Sequence, residues 1–158
     1  MLDGYFNRPD LTSRALADGW YRTSDLGFTA AGEVYVLGRK DDTIIIAGRN
    51  IWPADVEEIA ARHDAVRDGR VVAFGLLNES LGTQDLVVVA EAAVAPASDE
   101  AFRIENEIRA LIARELDLSP RVVQLAPQHW IVKSSAGKPA RSATRDKFLA
   151  EFSSRETP

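Results

Sequence analysis

The sequence contains no cysteine, which excludes disulfides, cysteine-ligated zinc and thiol catalysis. Histidine is nearly absent. His63 and His129 are the only two, and neither sits in a metal-ligand spacing, so no metal site is expected. Long apolar runs are missing as well. The runs 71–77 and 86–90 are strand-length, the second ends at Glu91, and no membrane span is expected. The opening Met1-Leu2-Asp3-Gly4 has no basic stretch followed by an apolar one, so no secretion signal and a cytoplasmic location are expected. Lysine is scarce too: four lysines stand against fifteen arginines, and three of the four fall within 133–147.

What is present is ordinary for a folded protein. Hydrophobic residues make up 46% of 158 and charged residues 27%, too apolar for a disordered tail. A compact chain of this size hides roughly 70% of its unfolded surface, enough for a core without staples. One domain, or one domain plus a fragment, is expected. The formal net charge is −5, but it is unevenly spread. Residues 1–40 are neutral and residues 41–132 carry −8. Residues 133–147 carry +4, from Lys133, Lys138, Arg141, Arg145 and Lys147 against one acid. A short basic segment on an acidic chain suits a local anion, or simply a solvated helix face. It does not make the broad basic face that nucleic acid requires.

Apolar periodicity predicts the α+β class: a small mixed sheet with helices packed against it, preceded by a hairpin and a turn-rich remnant of a larger domain. Val34-Tyr35-Val36-Leu37 and Thr43-Ile44-Ile45-Ile46 read as the strands of that hairpin, joined through Gly38-Arg39-Lys40-Asp41-Asp42. Pro53 opens a helix whose Val56, Ile59, Ala60 and His63 share one face. His63 there reads as a packing residue or a last-turn cation. Segments 70–77 and 85–94 read as strands that pair through a turn at Gly82. Pro96-Ala97-Ser98-Asp99 caps a helix with Ile104, Ile108, Leu111, Ile112 and Leu116 inward and a Glu105–Arg109 pair outward. A short strand over 121–125 and a final helix over 142–152 complete the series.

Several residues invite chemistry. Gly137-Lys138 suggests a phosphate loop, but that motif needs glycine at 132 and Ser or Thr at 139, where Val132 and Pro139 stand. What remains is a loop lysine, either solvated or aimed at an anion. Asp25, in Tyr21-Arg22-Thr23-Ser24-Asp25-Leu26-Gly27, either caps a turn or accepts two sugar hydroxyls. Turn chemistry alone accounts for Arg39 and Asp41.

Their order adds a resemblance. Gly19-Trp20-Tyr21-Arg22-Thr23-Ser24-Asp25, then Gly38-Arg39-Lys40-Asp41-Asp42 running on through Gly48-Arg49-Asn50 to Asp55-Val56-Glu57, then Ser135-Ala136-Gly137-Lys138-Pro139-Ala140-Arg141, together resemble the adenylate-forming superfamily. That group comprises acyl-CoA synthetases, fatty acyl-AMP ligases, luciferases and peptide-synthetase adenylation domains. The resemblance implies activation of a carboxylic acid, a fatty acid above all, by ATP and Mg2+ to an acyl-adenylate. Transfer to a thiol follows. It implies that residues 1–40 are the tail of a large N-terminal adenylation domain and 41–158 the mobile C-terminal lid. By the same token Asp25 matches the aspartate that holds the ribose hydroxyls, and Arg39 an arginine near the ribose. Asp41 matches the hinge, Lys138 the lysine between acid and α-phosphate, and Gly48 the loop lining the pantetheine channel. Ser24 stands where most relatives have glycine. The Ser/Thr/Gly-rich nucleotide loop and the acyl pocket are not in this sequence, so the large domain is expected as a partner and the chain alone is expected to be inactive.

Residues 47–57 and Leu86-Val87-Val88-Val89-Ala90-Glu91 most resemble fatty acyl-AMP ligases, which implies the phosphopantetheine of an acyl carrier protein as acceptor. An acyl-CoA synthetase using free CoA is the alternative. A non-catalytic module that docks a carrier protein is the alternative of another class, and retention of Asp25, Arg39, Asp41 and Lys138 argues against it.

Overall fold

The computed structural model describes residues 3–152. The chain divides into two compact units, with the boundary between Asp41 and Asp42. The sequence reading of Met1 and Leu2 falls outside the described residues.

The first unit is a chain of small antiparallel pairs. Helix α1 (Pro9–Ala15) leads into β1 (Leu16–Ala17) and β2 (Trp20–Tyr21), and then β3 (Asp25–Ala30) pairs with β4 (Glu33–Arg39). Among the described residues of this unit no side chain is buried. The β3–β4 reversal uses two residues with positive φ, Ala31 at 51° and Gly32 at 83°, the geometry whose twist matches paired strands. Phe28 and Tyr35 stack across the ladder with ring centroids 5.0 Å apart. Gly27 marks a register shift, and a Cβ there would lie 2.4 Å from the Tyr35 carbonyl oxygen. Only glycine allows that approach.

The pairing of 34–37 therefore differs from the sequence expectation. Val34-Tyr35-Val36-Leu37 lies in β4 and pairs backwards with β3, not forwards with 43–46. The reason is local. The two-residue turn at Ala31-Gly32 reverses the chain, whereas Lys40–Asp42 forms a 3₁₀ turn that carries it onward. Ile44–Ile46 (β5) instead pairs with Arg49–Ile51 (β6) across Ala47-Gly48.

The second unit holds the core. After β6 come α2 (Pro53–Ala61), β7 (Val66–Asn78), β8 (Thr83–Ala92), α3 (Asp99–Leu116), β9 (Val122–Ala126) and α4 (Arg141–Phe152). Strands β7 and β8 are antiparallel and β9 joins β8 in parallel, in the order β7-β8-β9. Both faces of this sheet are covered. Leu86, Val88 and Ala90 face Val56 and Ile59 of α2 and Ile104, Ile108 and Ile112 of α3. Val87 and Val89 lie in a second cluster with Phe74, Trp130, Ile131 and Phe148 of α4. Burial on two faces is why β8 reads as a continuous apolar run rather than an alternating one.

Helix boundaries follow the sequence chemistry. Pro53 occupies the first turn of α2, and Ser98 Oγ accepts the Ala101 N–H at the start of α3. The other end of α3 closes on Asp117 in the left-handed region, φ 53°. There Arg49 donates to the Leu116 and Asp117 carbonyls at 3.0 and 3.4 Å, satisfying orphan acceptors at the helix's negative end. The outward Glu105–Arg109 pair does not form. Glu105 accepts the Leu125 N–H at 2.9 Å, and Arg109 donates to Asn106 and to the Pro120 carbonyl. A buried strand amide needs an acceptor more than an exposed ion pair needs closing. His63 is structural: its Nδ1 accepts the Ala65 N–H, which leaves Nε2 to donate to Glu107 at 2.8 Å.

Candidate functional site

In the first unit, Asp25 and Arg39 are register partners at the open end of the β3–β4 ladder, both exposed. Asp25 donates its N–H to Thr23 Oγ1 at 3.1 Å, and the preceding carbonyl, of Ser24, accepts the Lys40 N–H at 2.9 Å. Ser24 itself holds φ at 63°. The phenol of Tyr21 reports the neighbourhood. Its hydrogen bond with Tyr5 Oη, 3.0 Å long, raises its pKa most, and the Arg39 charge lowers it while the Asp25 charge raises it. A carboxylate beside a guanidinium at a strand end fits a vicinal diol: the carboxylate accepts two hydroxyl protons and the guanidinium donates.

Asp41 is exposed and is the last residue of the first unit, inside the 3₁₀ turn Lys40–Asp42. Gly48 is at the tip of the β5–β6 hairpin with φ 79°, following Ala47 at 47°. The hairpin is fastened to the β7–β8 end of the sheet. Gln84 Oε1 accepts the Ile45 N–H at 2.7 Å, and Thr83 Oγ1 accepts the Ala47 N–H at 2.8 Å.

Lys138 stands on an exposed loop whose base is closed by pairing of Lys133 with Pro139. Inside it the Ser134 N–H donates to the Lys138 carbonyl and the Gly137 N–H to the Ser134 carbonyl. The approach to the loop is fastened by buried acceptors. Glu91, on β8 and 0% exposed, accepts the Ile131 N–H at 2.8 Å, and its second oxygen lies 3.6 Å from Arg70 Nε. Buried Thr144 accepts the Val132 N–H at 3.2 Å.

The five basic residues of 133–147 do not share one fate. Arg141 binds Glu57 and Asp42, while Lys147 donates to the Trp130 carbonyl and lies over that ring at 4.5 Å. Arg145 contacts Asp146 at 3.3 Å. Among the described residues only Lys133 and Lys138 of the five leave their ammonium groups without a hydrogen bond or ion pair. The basic segment is thus neither a uniform anion site nor a uniform solvated face. It offers two uncommitted charges at one loop.

The role of the Arg141 cluster is invisible in the sequence. Arg141 Nη2 donates to both oxygens of Glu57 at 2.8 and 2.9 Å, and Nη1 donates to Asp42 at 2.5 Å. Glu57 also accepts the Ala73 N–H of β7 at 2.9 Å. Burial pushes the Glu57 carboxyl up, opposed by the Arg141 charge and the Ala73 N–H. The partners lie 84 and 99 positions apart, and no local pattern announces such a pair.

Asp25 and Arg39 thus come together within the first unit, while Gly48 and Lys138 occupy separate turns of the second. Asp25 and Arg39 set an acceptor and a donor at one strand end, and Lys138 sets a cation on a loop. They do not build a cation cage: among the described residues no group of three or more His, Asp and Glu side chains is arranged to hold a metal. Nor is any described helix long and apolar enough to cross a membrane.

No protein-family model matches the chain. It is 36% identical over 152 residues to a putative acyl-CoA synthetase of Caulobacter vibrioides, covering 95% of this chain and 26% of that protein. It is 35% identical over 159 residues to the medium-chain-fatty-acid–[acyl-carrier-protein] ligase JamA of Moorena producens, covering 94% and 26%. Among solved structures it is similar to McyG A-PCP complexed with phenylalanyl-adenylate, with a TM-score of 0.85 and 26% identity over 96% of this chain and 27% of that one. The chain spans about a quarter of the length of these relatives.

Proposed function

Because the chain belongs to the adenylate-forming superfamily and corresponds to its C-terminal part, we propose that it is the lid-bearing portion of an AMP-forming acid–thiol ligase. Residues 1–40 act as the tail of a large adenylation domain and residues 41–158 as the lid. The observation that carries this reading is the uncommitted Lys138 on a loop closed at its base by pairing of Lys133 with Pro139, while Arg141 and Lys147 of the same basic segment are held by internal partners.

In the first half-reaction a carboxylate oxygen of the acid attacks the α-phosphorus of ATP, the P–O bond to pyrophosphate breaks, and an acyl-adenylate forms. Negative charge builds between two anions, and the Lys138 ammonium stabilises it there. Lysine suits this place as a compact charge on a flexible stem. Asp25 accepts the ribose hydroxyls and Arg39 donates from the same ladder end, fixing the nucleotide. The magnesium that accompanies ATP would be held by groups of the large domain. Rotation at Asp41 then turns the Lys138 loop away, and the Gly48 turn lines the path of a pantetheine thiol that takes the acyl group and releases AMP.

We assign a fatty acid as the substrate and a carrier-protein phosphopantetheine as the acceptor. Support comes from a relative named for acyl-carrier-protein ligation and a structural neighbour whose name includes a carrier domain. Free CoA is the alternative acceptor, favoured by the relative named as a putative acyl-CoA synthetase.

Lys138→Ala in the intact ligase tests the reading. Acyl-adenylate formation, followed by pyrophosphate exchange, is expected to fall by roughly 10²–10³, the effect of losing one preorganised charge-stabilising group. Thioester formation from synthetic acyl-adenylate, offered CoA and holo carrier protein in parallel, is expected to be unchanged. Lys138→Arg is expected to restore little, because a planar fork does not reproduce the ammonium's reach. Wild-type exchange in Lys138→Ala sinks the assignment.

A further inference from the structure

The boundary between the two units falls between Asp41 and Asp42. Asp42, the first residue past it, is not left to the turn. Its carboxylate is gripped by Arg141 Nη1 at 2.5 Å. Arg141 is itself immobilised: its Nε and Nη2 make three contacts with Glu57, at 3.1, 2.8 and 2.9 Å. Glu57 is fixed in turn by its place on α2 and by the Ala73 N–H of the central sheet. All three side chains are 70–79% shielded from water, with exposures of 25%, 30% and 21%, so the charges attract through a medium less screening than bulk solvent. A guanidinium can hold two carboxylates in one plane with separate edges of its fork. One side chain therefore ties the residue just past the boundary to a helix and, through that helix, to the sheet.

Arg141 is also three positions past Lys138 and opens α4. The Ala140 N–H, next to it, donates to the Val132 carbonyl at 2.8 Å. Its neighbours thus belong to the base of the loop that presents Lys138. The same arginine is anchored at the root of the lysine loop and at the entry to the second unit.

We infer that Arg141, with Asp42 and Glu57, is a positioning clamp that confines the backbone rotation between half-reactions to Asp41 and delivers Lys138 to its site as part of one rigid body. The inference rests on the assignment of Asp41 as hinge and of Lys138 to the adenylation step. With Asp42 clamped, the backbone change at the boundary has no room to spread into residues 42 and 43. Released, Asp42 shares the rotation, and each small angular error at the pivot becomes a displacement at the distant ammonium. Only the step that uses Lys138 suffers from this slack.

The test uses the intact ligase and Asp42→Asn, which keeps size and removes the charge. The turnover rate of pyrophosphate exchange is expected to fall about tenfold, a modest misplacement effect. The KM values for ATP and acid should hold, and thioester formation from synthetic acyl-adenylate should stay within about twofold, since Lys138 takes no part in it. Asp42→Glu, which restores the carboxylate, is expected to recover most of the exchange rate. Arg141→Lys is expected to behave like Asp42→Asn, because one ammonium cannot span both carboxylates. Exchange at the wild-type rate in Asp42→Asn overturns the clamp, and so does an equal fall in both steps, which is the mark of general destabilisation. Lys138→Ala runs beside them. If it too leaves exchange unchanged, the functional reading has failed; if it abolishes exchange while Asp42→Asn is silent, the clamp alone has failed.

Discussion

Ser24 illustrates what a single φ angle decides. Its value of 63° lies in the left-handed region that favours glycine, a physical reason for the glycine that the family resemblance implies at this position. The sequence marks Ser24 as a departure but not why it is one. Ala47 is the parallel case in the second unit. At φ 47° it begins the two-residue turn Ala47-Gly48, a place suited to asparagine or glycine. Ala47→Asn keeps the N–H that Thr83 accepts and supplies a short amide side chain that hydrogen-bonds locally and so tolerates the left-handed region better than alanine. We expect it to raise unfolding free energy by about 1 kcal/mol, read as a higher urea midpoint with an unchanged m-value. A lower midpoint would mean the turn is not strained. Lys138 was the most legible residue of the candidate site, because a lysine after glycine in a polar loop stands out where lysine is rare. Arg141 was legible only as one more charge.

At the scale of elements, legibility tracked how local the cause was. Helices α2 and α3 follow from their own proline, cap and apolar stripe. The strand over 34–37 is legible in the sequence but its partner is not, because pairing depends on which of two turns reverses the chain. Glu105 and Glu57 each serve a strand amide far along the sequence, and no spacing rule reaches that far. The Glu57 cluster ties α2, β7 and α4 together, and its electrostatics carry a sign. The folded-state pKa of Glu57 is raised, chiefly by burial, above an ordinary value of 4.5. Its contribution to stability is therefore fully present below that value and is lost as pH rises through the raised one. Glu57→Gln should abolish this part of the slope. Denaturant unfolding between pH 4 and pH 7 is expected to show the wild type losing stability relative to Glu57→Gln as pH rises. A difference that stays flat with pH would mean that Arg141 fully offsets the burial.

The two units are stabilised differently. Among the described residues every buried hydrophobic side chain lies at or beyond Ile44, in two clusters on opposite faces of one sheet. The first unit instead exposes Trp20, Phe28, Val34 and Val36, with Trp20 at 78% and Val34 at 72%. Each fully buried aliphatic side chain contributes about 1.5–3 kcal/mol, so nearly all the hydrophobic stabilisation resides beyond the boundary. The sequence already hinted at this division, since the stretch 1–37 is rich in turn residues and poor in apolar periodicity. The exposure of its aromatic and β-branched side chains was not legible, because alternation shows only which residues share a face and not whether anything covers it. Residues 42–152 are accordingly expected to fold cooperatively without the first unit, with a calorimetric midpoint within a few degrees of the full chain. Removing a segment whose described side chains include no buried one withdraws little from the core, whereas removing a segment that completes it would lower both midpoint and m-value. Loss of a single sharp transition in the 42–152 chain would show that the first unit contributes to that core.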